Sequence, residues 1–119
     1  MSVTVDNSGG FIELVGYEFS HGSGYSFSLD RTTGASASGY SSNPYSGSVD
    51  ASAPVLLVSA VTTTGGVTAW GSGFNNRVIT SPDGDLLQDE IVAGKSGPLS
   101  DGATLGGDAY WVSQLVSFN

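Results

Sequence analysis

The residues of this chain able to take part in chemistry are few and set apart. Its single histidine, His21, stands in "FSHGSGY", a glycine-rich turn amid hydroxyls. With Asp30 and one of several serines it would compose a Ser-His-Asp set, in which the imidazole takes the hydroxyl proton and the carboxylate orients the imidazole. No G-x-S-x-G elbow exists to hold a nucleophile, and in so serine-rich a chain a triad on paper arises from composition alone. His21 reads as a solvent-facing turn residue.

Carboxylates gather in "SPDGDLLQDE" and again at Asp101 and Asp108. Glycoside hydrolysis needs two carboxylates across a cleft, and calcium needs several oxygens around one point. Asp83-Gly84-Asp85 resembles the opening of a calcium loop but lacks the later ligands and the closing glutamate. Lys95, the only lysine, lies in "AGKSGP", which reads as a turn and not as a lysine buried for an isopeptide bond. "GSGYSF" and "GSGF" are glycine turns beside aromatics; a phosphate cradle would need a helix to follow. No catalytic, cofactor or metal residue is therefore assigned.

The aromatic residues offer a different chemistry. Trp70, Trp111, Phe74, Tyr110 and Phe118 would line a sugar-binding face, or would serve as core and interface, the commoner use of rings on strands. Tyr40 and Tyr45 stand in a long polar stretch, "TTGASASGYSSNPYSGSVDAS", Thr32 to Ser52. This reads as a surface loop with room for one edge strand, and the two tyrosines would anchor any contact it makes.

The elements that must position these groups are strands, because the dominant hydrophobic period is two. Tyr25 to Asp30 alternates cleanly, and Phe11 to Phe19 alternates over a longer run. Pro54 leads into Val55–Thr62, apolar on both faces, as in a central strand covered on both sides. Gly65-Gly66 suggests a hairpin joining Val61–Thr64 to Val67–Trp70. Asn76 to Thr80 is a short strand, closed by the turn Ser81-Pro82-Asp83-Gly84-Asp85. Leu86 to Ala93 suits a strand or a short helix, and Gly94 and Gly97 favour the strand. In the last strand Tyr110, Val112, Val116 and Phe118 share one face and suit a core. Trp111 and Leu115 share the other face with Ser113 and Ser117, and there a neighbour would cover them.

These elements predict an all-β protein with almost no helix: an antiparallel β-sandwich or jelly roll. Residues 11–119 make one domain with the loop at about 32–52, and residues 1–10, carrying Val3 and Val5, make an N-terminal arm or edge strand. The expected core includes Tyr25, Phe27, Leu29, Val55, Leu57, Val112 and Val116. The expected contact surface comprises Val3, Val5, Tyr40, Tyr45, Trp70, Trp111 and Leu115.

Composition narrows the partners. Of 119 residues only 12% are charged, and eleven acids against three bases give a formal charge of −8. Arg31, Arg77 and Lys95 are scattered, so nothing tracks a phosphate backbone, and nucleic acid and anionic membranes are poor partners. The start "MSVT" has no secretory pattern, and the longest apolar run, Val55 to Val58, is far below the length of a bilayer span. Synthesis in a cytoplasm is expected. Cysteine is absent, so no disulfide contributes.

The run "AGKSGPLSDGATLGGDAYWVSQLVSF", with "SAPVLLVSAVTTTGGVTAWGSGF" upstream, resembles the closing half of small β-sandwich modules of tailed-phage virion proteins. There a glycine-rich loop leads into a final strand of the form aromatic-Trp-Val-x-x-x-Val-x-Phe. The resemblance runs from about Gly34 onward and implies a non-enzymatic role on a virus particle: a capsid decoration (cement) protein, or else a tail or fibre component. It implies the major capsid protein as partner, assembly into a homo-oligomer such as a trimer, and location in the virion. The alternative from another class is a carbohydrate-binding module built on Trp70 or Trp111 with acidic loops, with or without calcium.

Overall fold

The computed structural model describes Thr4, residues 15–20, 22–24 and 28–119, with only the backbone of 29–33. Nine strands follow in order: β1 (Leu29–Ser41), β2 (Ser48–Ala51), β3 (Val55–Thr63), β4 (Val67–Trp70), β5 (Asn75–Ile79), β6 (Leu86–Val92), β7 (Gly97–Ser100), β8 (Ala103–Leu105) and β9 (Ala109–Phe118). The described residues contain no helix. β1-β9-β3-β6-β5 form one antiparallel sheet, and β2-β7 and β4-β8 form two short ladders. The protein is all-β, with a large sheet packed against smaller ones as in a β-sandwich.

The inner face of the large sheet follows from alternation. Val55, Leu57, Ser59, Val61 and Thr63 of β3 point inward and are all buried. Near one end Val55, Leu57, Val92 and Leu115 meet Val49, Ala51 and Leu99 of the β2-β7 ladder, with Phe74. At the other end Val61, Leu86 and Ala109 meet Val67, Ala103 and Leu105 of the β4-β8 ladder.

Between these two apolar clusters lies a polar layer centred on Asp101, only 7% exposed. Its Oδ1 accepts from the Ser46 amide (2.8 Å), and its Oδ2 accepts from the hydroxyls of Ser59 (2.6 Å) and Ser113 (2.7 Å). Gln88 extends the layer: Nε2 donates to Ser59 Oγ and to the Gly102 carbonyl, while Oε1 accepts from the Gly71 amide. A buried carboxylate is tolerable only when its lone pairs are so engaged. One acceptor thus ties β3, β9 and the β1–β2 connection together.

Several sequence expectations change here. The 32–52 stretch is mostly strand: β1 runs to Ser41 and pairs with β9 from Gly34↔Val116 to Ser41↔Ala109, leaving residues 42–47 as the connection. Gly/Ser composition masks the strand because those side chains contribute little, and the ladder with β9 supplies the pairing. Gly65-Gly66 does not make a hairpin. β4 leaves for the opposite layer and pairs with β8, while β3 pairs with β6 and β9. Gly66 has φ +67, the Val67 amide donates to the Gly84 carbonyl, and a Cβ on Gly84 would lie 2.6 Å from Gly66 Cα. The turns at 65–66 and 81–85 are therefore stacked on one another, and the chain crosses layers there. Residues 15–20 carry no strand, whereas 11–14 and Tyr25 to Phe27 lie outside the described residues.

β9 faces the opposite way from the expectation. Leu115 (0% exposed), Ser113 and Ser117 are buried inward, while Val112 is 44% exposed and Val116 only half-buried on the outward row. Leu115 belongs to the core, and Val112 and Val116 do not. The reason is Asp101, whose carboxylate makes Ser113 acceptable inside.

Candidate docking face

The outward face of the large sheet is covered unevenly. Leu56 on this face is buried, Val58 and Ala60 are half-buried, and Thr62 is exposed, so cover fades along β3. Over β5 and β6, Val15 lines a small hollow with Ala60, Val78 and Leu87, and the Tyr17 hydroxyl donates to the Arg77 carbonyl (2.7 Å). Here too Asp89, 1% exposed, is held bidentately by Arg77, with Nη2 at 2.9 Å from Oδ2 and Nε on Oδ1. That hydrogen bond is the first cause raising the Arg77 pKa above its ordinary value.

Toward the Tyr110 end of β9 the outward residues are exposed. Tyr40 and Tyr110, directly opposite in register, are 62% and 68% exposed, and their rings meet edge to face at 4.9 Å and 61°. Val112 sits beside them between Ser38 of β1 and Thr62 of β3. These residues, with Thr64 and the edge of Trp111, line an open groove of about 540 Å³. None of the residues lining the groove is charged, and exposed Asp108 stands two residues before Tyr110. In a chain of charge −8, this is an aromatic groove lined without acids, mounted on a rigid sheet.

The tyrosines are held from behind. Trp111 points inward, packs at the margin of the Val61 cluster and donates from Nε1 to Ser41 Oγ (3.0 Å). Its partner across the ladder is Gly39, where a Cβ would lie 2.8 Å from the indole Cζ2. Glycine is required there because the ring occupies the space of a side chain.

Of the expected surface residues, the structure brings Tyr40 and the edge of Trp111 to this groove. Tyr45 is exposed in the 42–47 connection, its hydroxyl 3.2 Å from Ser48 Oγ. Trp70 is exposed on the β4-β8 ladder, in the opposite layer, and does not line the groove. Leu115 is interior and drops out of the surface. Val3, Val5 and His21 lie outside the described residues. Sequence reasoning placed Tyr110 and Val112 inside; the outermost position of β1 in the sheet was the missing information.

Asp85 and Asp101 serve the fold. Asp85 Oδ1 accepts from the Thr63 amide (2.8 Å) at the end of β3, and Asp101 is the core acceptor. Among the described residues, no group of three or more His, Cys, Asp or Glu is placed to hold a metal ion. Lys95 is exposed in the turn between β6 and β7. Comparison of the chain with family models, curated proteins and solved structures returned no match.

Proposed function

We propose that this chain is a non-enzymatic structural protein of a tailed-phage virion, a small decoration (cement) protein that docks on the head through the Tyr40-Tyr110-Val112 face. The observation that carries the reading is that exposed, charge-free aromatic groove on a rigid sheet. Rigid aromatic anchors contribute most binding energy where a partner excludes water around them. The resemblance to virion modules supplies the particle as partner, the major capsid protein as its docking surface, and the virion as location. A decoration protein of this kind stabilises the shell by mass action, since it binds the assembled form in preference to its dissociated subunits. A tail or fibre position would use the same face.

The test is co-sedimentation with undecorated heads. The wild-type protein is expected to saturate them and to raise their dissociation temperature. Y40A/Y110A is expected to weaken binding by at least about thirtyfold, the scale of a central aromatic hot spot. Full binding by that variant would remove the face from the mechanism.

A carbohydrate-binding reading rests on one observation: the tyrosine pair is flanked by the hydroxyls of Ser38, Thr62 and Thr64 in the same groove. Specific retention on a glycan array, lost in Y40A/Y110A, together with no binding to heads, would select it.

A further inference from the structure

The large sheet ends in two edge strands of very different character. β5 is short, Asn75–Ile79, is bulged between Asn76 and Val78, carries Arg77, and runs into the Pro82 turn. Shortness, a bulge and a charge are the devices that stop an edge from accepting another strand. β1 has none of them over its second half. From Gly34 to Ser41 it keeps unbroken register with β9, and from Thr32 to Ser41 it contains neither a charged residue nor proline. Among the described residues it is hydrogen-bonded to a strand on one side only, with β2 packed close to it, so its outer backbone amides and carbonyls face away from the ladder.

We infer that β1 is a self-pairing edge: two copies join β1 to β1 antiparallel about a two-fold axis, making one continuous sheet. The occupant is a second copy for two reasons. Acidic proteins repel one another wherever acids meet, and here residues 32–41 of β1 and the neighbouring β9 offer an approach without charged side chains in a chain of charge −8. An antiparallel strand is also self-complementary about a two-fold, each copy supplying the donors and acceptors the other lacks. The outward side chains before Tyr40 are small, Ser36 and Ser38, and do not obstruct a neighbour. A ring of three through this edge would need a second open edge, and β5 is guarded; the edge therefore specifies pairs in place of the trimer the resemblance implied.

The pairing extends the docking face, since both Tyr40-Tyr110 pairs then lie on the same side of the joined sheet. It stands independently of the particle as partner, and the experiment keeps the two apart. Sedimentation of the wild-type chain should show a concentration-dependent dimer. Mixed isotope-labelled samples should give intermolecular Hα–Hα contacts along residues 34–41, the signature of an antiparallel ladder. S36K/S38K, placing charges on exposed edge positions, should raise the dimer dissociation constant at least about tenfold with an unchanged far-UV spectrum. Q114K adds the same charge on the same face, one strand inward, and should leave the dimer intact. A wild-type chain that stays monomeric, including one that captures only a foreign strand, overturns the inference. So does a dimer that lacks those contacts or survives S36K/S38K. Head binding is read separately with S36K alone, because Ser38 lines the docking groove: a monomer that still binds heads leaves docking standing without pairing, and a wild-type dimer that binds none removes docking alone.

Discussion

At the scale of single residues, the buried polar groups are unequal. Asp101 collects three donors from distant parts of the chain, and hydrogen bonds to a charged acceptor count for more than neutral ones. D101A should therefore cost at least about 3 kcal/mol in urea unfolding, because three buried donors lose their acceptor at once. Ser117 is the opposite case: its hydroxyl is buried and meets no hydrogen-bond partner. S117A should leave stability unchanged or raise it by up to about 1 kcal/mol, read as a higher urea midpoint. Arg77 differs again. Its removal in R77A leaves Asp89 buried without its cation, and a lower urea midpoint is expected.

At the scale of elements, β1 and β9 depend on one another through a glycine and an indole. G39A would force the Trp111 ring from its place, since the new methyl group would sit 2.8 Å from Cζ2. Overpacking of this kind costs typically about 1–3 kcal/mol. The expected result is a loss in that range together with a changed Trp111 emission, as the Nε1 bond to Ser41 breaks. W111F should lose that bond yet accept glycine opposite, so G39A should be milder in a W111F background. Equal losses in both backgrounds would mean that the two residues are not coupled. The crossing at Gly65-Gly66 follows a similar logic of close approach, because two turns share the space of one Cβ.

At the scale of the whole molecule, the groove with the exposed tyrosines is lined by uncharged residues alone. The acids Asp85, Asp89 and Asp101 are engaged by amides, a guanidinium or hydroxyls, while the exposed rings of Tyr40 and Tyr110 stand in a groove lined without charge. Contact through such a face depends little on ionic strength, since screening acts on charges and not on apolar burial. Head binding is therefore expected to vary less than about threefold between 50 mM and 500 mM salt, whereas an ion-paired interface would fall steeply. A steep loss with salt would assign the contact to the acidic surface and not to the tyrosines.

Alternation and turn chemistry were enough to determine an all-β chain and the existence of β3, β5, β6 and β9, since those depend on neighbours in sequence. Val55 and Leu57 were identifiable as core for the same reason. Which face of β9 looks inward was not. Its outward row, Tyr110, Val112, Val116 and Phe118, is the more apolar, and local counting turns it to the core. Only the arrival of Asp101, far from Ser59 in sequence, gives the inward Ser59 and Ser113 a partner. The same limit hid β1, whose glycines and serines carry little strand preference of their own. Its ladder exists because β9 lies beside it, and pairing between distant segments is a property of the fold, not of either segment. The exposure of Tyr40 and Tyr110 followed from that pairing, for a strand's outer face is bare or covered according to what the rest of the chain leaves above it.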